Sequence, residues 1–110
     1  MDQLEAHALV QRFLDAMPHP ASRFGPGRWV IVDELTEDHE LFWLFNWHTS
    51  RGRHIPLGGN CPLAVAKADG QVYQFGARDR RQEFNERLRK GELTPVSFEE
   101  WAAAWARTTG

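Results

Sequence analysis

The chain has 110 residues, 42% hydrophobic, 25% charged and 12% aromatic, enough for one domain that buries roughly 65% of its unfolded surface without a staple; its single cysteine, Cys61, rules out an internal disulfide. With 13 Lys and Arg against 15 Asp and Glu, it lacks the surplus positive charge on which a dedicated nucleic-acid binder depends. No apolar run approaches the ~20 residues that span a bilayer, and Met1-Asp2-Gln3-Leu4-Glu5 lacks the basic-then-apolar order of a secretion signal, so a soluble, cytoplasmic protein is expected.

Residues 2–17 read as a helix, because Ala6, Leu9, Val10, Phe13 and Met17 recur at the spacing of one helical face, and Pro18 stops it. A loop through Gly25-Pro26-Gly27 leads to Trp29-Val30-Ile31-Val32, which is β-branched and aromatic and reads as a strand. A second strand is expected over Glu40 to His48, which carries Leu41, Phe42, Trp43, Leu44, Phe45 and Trp47. Runs apolar at successive positions are usually covered on both faces, or on one with the other used for binding. Thr36-Glu37-Asp38-His39 between them is short and polar, and predicts an antiparallel hairpin.

Residues 49–62 hold Gly52, Pro56, Gly58, Gly59, Asn60 and Pro62 and read as a longer loop. Asp69-Gly70 is a two-residue hairpin signal, and pairing across it sets Ala66 against Tyr73 and Ala64 against Phe75, small opposite large. Two helices follow. The first is expected to open on a capping box of Asp79 and Gln82, to carry Glu83/Arg87 and Glu86/Lys90 pairs, to end at Gly91, and to lie on the surface because only Phe84 and Leu88 form its apolar stripe. The second opens on Ser97 and Glu100, with Val96 and Trp101 as a hydrophobic staple, and should dock through Phe98, Trp101, Ala102 and Trp105. Without β-α-β alternation, the order predicts an α+β fold: a small antiparallel sheet of about four strands in two hairpins, packed against one N-terminal and two C-terminal helices.

Catalytic signals are sparse. His7, His19, His39, His48 and His54 show no metal-ligand spacing, and no GxSxG, Walker-type or GxGxxG sequence is present, so no metal or other cofactor is expected. Cys61 with His48 or His54 could form a nucleophilic pair, but a small residue in a tight turn accounts for Cys61 more simply. Charge is unevenly spread: Asp33, Glu34, Glu37, Asp38 and Glu40 fall in a stretch without Lys or Arg, whereas six basic residues lie between Arg78 and Lys90. The acidic stretch is either a solvated turn or a partner-binding rim, and the basic one an exposed helix or a rival surface. Trp43 and Trp47, i and i+4 in a strand, share a face with Leu41 and Phe45 and are either core or binding anchors.

A strand ending in an acidic turn, then Phe42-Trp43-Leu44-Phe45, Gly59-Asn60-Cys61-Pro62, Leu63-Ala64-Val65-Ala66-Lys67, Asp69-Gly70-Gln71-Val72 and Gly76, in that order, resembles the YrhB-like or immunity protein 35 family. The resemblance runs from Trp29 to Trp105, with Phe42 and Cys61 standing where family members carry glycine. It implies a small cytosolic protein of bacterial polymorphic toxin systems that neutralises the toxin encoded beside it, and it brings no catalytic residues. The expected partner is therefore a cognate toxin, with neither nucleic acid nor membrane, engaged by a monomer or weak homodimer. The residues expected to bind it are Asp33, Glu34, Glu37, Asp38 and Glu40, with Trp43 and Trp47 as anchors. The competing readings are a chaperone-like or adaptor domain without a toxin, and a Cys-His enzyme using Cys61.

Overall fold

The computed structural model describes residues 1–17, 29–49, 62–76 and 78–108. Helix α1 runs over Gln3–Asp15. Its first turn is closed by a reciprocal capping box, in which the Asp2 carboxylate accepts from the Glu5 N–H at 2.8 Å and the Glu5 carboxylate accepts from the Asp2 N–H at 3.3 Å. Ala6, Val10, Phe13 and Met17 are buried as the spacing predicts; Leu14 joins them at 0% exposure, widening the stripe, while Leu9 is only partly buried.

The first hairpin is longer and less regular than the sequence suggests. Strand β1 (Trp29–Ile31) pairs antiparallel with β4 (Trp47–Thr49), and β2 (Glu37–Asp38) pairs with β3 (Phe42–Phe45). The two ladders differ in register because Asp33–Leu35 forms a 3-10 turn that adds three residues to the first arm alone. Asn46 accommodates this offset: its carbonyl accepts the Val32 N–H at 2.8 Å and its side-chain amide donates to the Leu35 carbonyl at 2.9 Å. The single strand expected over residues 40–48 is thus two strands in two sheets, and the expected turn at residues 36–39 is partly strand. The reversal falls at residues 39–42, closed by the His39 N–H donating to the Phe42 carbonyl at 2.9 Å.

The second hairpin joins β5 (Leu63–Ala66) to β6 (Val72–Gln74) and completes a four-stranded antiparallel sheet of order β2-β3-β5-β6. Its register departs from the expected one by two residues, placing Ala64 opposite Tyr73 rather than Phe75. The loop has four residues, not two: the Ala66 N–H donates to the Gln71 carbonyl at 3.0 Å, the Gly70 N–H donates to the Ala66 carbonyl at 2.9 Å, and Gly70 supplies the left-handed conformation at φ 70°. A shift of two leaves every side chain on its expected face. Ala64, Ala66, Tyr73 and Phe75 therefore share one apolar cluster.

Both faces of the sheet are covered, as the unbroken apolar runs of β3 and β5 suggest. One carries Trp43, Phe45, Leu63, Val65 and Val72, packed with α1 and α3 (Phe98–Thr108). The other carries Phe42, Leu44, Ala64, Ala66, Tyr73 and Phe75, packed with Phe84 of α2 (Arg81–Arg89). The fold is α+β. The Phe84 ring lies 4.8 Å from that of Phe42 and 5.2 Å from that of Phe75, in the space that the two β5 alanines leave open. Phe42, one of the two departures from the resembled family, is thus a fully buried core residue.

The capping box expected at Asp79 and Gln82 does not form. Asp79 closes the preceding turn instead, accepting the Gly76 N–H at 2.6 Å, and the N-cap is Arg80, whose side chain makes no capping bond. The helix ends as expected. Gly91 at φ 69° donates to Leu88 and Glu92 donates to Arg87, the paired bonds of a Schellman motif. For α3, Ser97 Oγ accepts the Glu100 N–H at 3.1 Å, while Val96 is tied to the sheet by its N–H donating to the Val72 carbonyl at 2.7 Å.

Candidate functional site

The acidic segment and the basic helix, which look like separate surfaces in sequence, meet in the folded chain. The reversal at residues 39–42 brings the β2 carboxylates against α2, where Arg81, Asn85 and Arg89 recur at four-residue intervals on one face. Arg81 grips Glu37 with both Nε and Nη2, the latter at 2.7 Å from Oε2. Asn85 accepts the Leu41 N–H at 3.0 Å and donates to Glu40 at 3.3 Å. Arg89 Nη2 donates to Glu40 at 2.9 Å and its Nη1 donates to Glu86. Asp38 pairs with Lys67, whose ammonium also lies 5.2 Å from the centre of the Trp43 ring.

Glu37 is the most constrained of these carboxylates. The bidentate guanidinium of Arg81 pulls its pKa down from 4.5 to about 2, against the opposing push of partial burial and with further help from His39. An ionised carboxylate only accepts, so the His39 Nε2–H donates to it, at 2.7 Å, while the imidazole stacks on Phe42 at 4.7 Å. The expected Glu83/Arg87 and Glu86/Lys90 pairs are replaced: Glu86 binds Arg89, and Arg87 approaches Asp79 at 4.0 Å. Arg81, Asn85 and Arg89 thus clasp the first hairpin, and among the described residues the cavities nearest this clasp are open. One of about 300 Å3 touches His39, Glu40, Arg81, Gln82 and Asn85, and one of about 710 Å3 lies on the mixed-charge outer side of α2.

The expected binding residues therefore divide. Glu37 is held internally and its side chain is only 30% exposed. Asp33, Asp38 and Glu40 keep 78%, 63% and 67% of their side-chain surface exposed even with their partners in place, and Glu34 is exposed on the same 3-10 turn. The tryptophans turn inward. Trp43 is 7% exposed within the α1/α3 cluster, and Trp47 packs against that cluster with its ring edge-on to Trp29 at 5.1 Å, so the strand tryptophans do not form an exposed row. Leu41 does not extend their row either, because it sits in the reversal.

Exposed apolar side chains occur elsewhere, and the sequence reading missed them. Leu4 of α1 is 81% exposed and Leu35 of the 3-10 turn is 57% exposed. Leu4, Gln3, His7 and Asp33 line an open cleft of about 420 Å3, in which His7 Nε2 lies 3.0 Å from Asp33 Oδ1. A signal was present for Leu4, which falls outside the apolar stripe of α1; nothing local links it to Asp33. Cys61 and His54, and the side chain of His48, lie outside the described residues, as does the Gly58-Gly59-Asn60 loop. Among the described residues, no group of three or more His, Cys, Asp or Glu side chains could hold a metal ion, and no helix is long and apolar enough to cross a membrane. Compared with protein-family models, curated proteins and solved structures, the chain matches none.

Proposed function

We propose that this chain is an immunity-type protein, which acts in the cytoplasm by binding a cognate toxin and holding it inactive through a protein–protein interface on the acidic edge. The observation that carries the reading is the exposure of Asp33, Asp38 and Glu40 along the first hairpin, with the exposed Leu4 sharing a cleft with Asp33 and the exposed Leu35 on the same 3-10 turn as Asp33. Carboxylates at a rim steer a basic partner and govern association rate, whereas apolar anchors govern dissociation. The order of motifs, which resembles that of the YrhB-like or immunity protein 35 family, points to the same role. The anchors are reassigned from Trp43 and Trp47 to the two leucines, because Trp43 is only 7% exposed and Trp47 is half-buried against the Trp29 ring.

The test is to express the product of the neighbouring gene alone and together with this protein. Growth arrest in the first case, its relief in the second, and co-purification of the two chains are expected. Absence of arrest, or arrest that this protein does not relieve, would remove the proposal. Reversing Glu37 is not a clean probe of the interface, since a lysine there would face Arg81 and loosen the clasp; Asp33 is the better choice.

A further inference from the structure

The cleft between α1 and the 3-10 turn has a chemistry of its own. His7 occupies one oxygen of the Asp33 carboxylate and sits edge-on to the buried Phe45 ring at 6.1 Å, which orients it from below. The Asp33 side chain keeps 78% of its surface exposed even with His7 in place. Gln3 also lines the cleft, and Leu4 supplies an apolar wall 81% exposed. An apolar wall leading to an acceptor-only carboxylate suits a side chain with an aliphatic stem and a cationic head. A volume of about 420 Å3 admits one such side chain.

We infer that this cleft is the seat for an arginine or lysine side chain of the partner protein, its stem along Leu4 and its head on Asp33 and Gln3. This rests on the binding reading above and names the contact at its centre. The cation binds beside His7, and a planar guanidinium suits the cleft better than an ammonium because its parallel donors reach the remaining Asp33 oxygen and the Gln3 amide oxygen together.

Two measurements separate this inference from the reading on which it rests. In an amide-resolved NMR titration, N-acetyl-arginine methylamide should perturb and saturate the signals of Gln3, Leu4, His7 and Asp33, while the neutral isostere N-acetyl-citrulline methylamide should not. Asp33→Asn should weaken that response about tenfold or more, as expected for loss of a charge-assisted hydrogen bond. An equal response to citrulline, or saturation only at Asp38 and Glu40, overturns the assignment. In the co-expression assay, the Leu4→Ala/Asp33→Asn double variant, folded by circular dichroism, should lose protection that the wild-type chain gives. Protection at the wild-type level by that variant removes the cleft from the interface and leaves the immunity reading intact. Saturation of the cleft by arginine where no toxicity exists to relieve keeps the cleft's chemistry and removes the immunity reading.

Discussion

The two faces of the central sheet are held by different kinds of force. On one, α1 and α3 meet through large aromatic surface: Phe13 lies edge-on to Phe98 at 5.5 Å and 5.8 Å from the Trp101 ring, and Trp101 Nε1 donates to the Phe13 carbonyl at 2.6 Å. Arg12 covers the outside of Phe98 at 3.9 Å. On the other, α2 inserts one fully buried ring, Phe84, with Leu88 only partly buried, and is otherwise fixed at its rim by Arg81, Asn85 and Arg89 reaching the first hairpin. A helix with little apolar surface can thus be placed accurately by polar contacts, but those contacts add less stability than burial does.

That difference can be broken from either side. Trp101→Ala should have the largest effect, about 3–5 kcal/mol, because it leaves a cavity and removes a buried hydrogen bond; chemical denaturation should show a sharply lowered midpoint, and an unchanged midpoint would mean that α3 is not part of the core. Phe84→Ala should cost about 3 kcal/mol. Its signature is local: hydrogen exchange should accelerate throughout α2 while α1 keeps its protection, whereas uniform loss of protection would show the two faces to be one cooperative unit.

The polar rim gives smaller and more diagnostic effects. Asn85→Ala strips the part-buried Leu41 N–H of its acceptor, and a loss of about 1–2 kcal/mol is expected in thermal or urea unfolding; Asn85→Asp, which keeps an acceptor oxygen for Leu41 but sets a second carboxylate against Glu40, should recover only part of it. Glu37→Gln should cost under ~1 kcal/mol at neutral pH, since the Arg81 pair is partly exposed to solvent. Its pH dependence is the sharper reading. The folded protein keeps Glu37 ionised down to about pH 2 while the unfolded chain takes up the proton near 4.5, so the contribution is complete above 4.5 and is lost as pH falls towards 2. Wild type should therefore lose stability more steeply than Glu37→Gln across that window. Parallel curves would show that Arg81 does not hold the carboxylate in solution.

The residues that sequence made legible are those whose signal is local. The stripe of α1, the serine cap of α3, the glycine stop of α2 at Gly91 and the alternation that sorts Ala64, Ala66, Tyr73 and Phe75 onto one face all depend on spacing within a few residues, which helix and strand periodicity sets directly. The same periodicity left the second hairpin's register open by two, because a shift of two preserves faces and the turn alone decides between them. The division of residues 40–48 into two strands depended on a 3-10 turn across the hairpin. The candidate site was legible as a set of charges and no further. Whether Glu37 and Glu40 meet a partner or meet Arg81 and Arg89, and whether Trp43 faces solvent or α1, follows from contacts between segments more than 40 residues apart in the first case and from the covering of both sheet faces in the second. Charge pattern along a chain carries no information about which opposite charge will lie 3 Å away after folding; the packing of Phe84 against the sheet, together with the Asn85 bond to the Leu41 backbone, brings that helix to that turn.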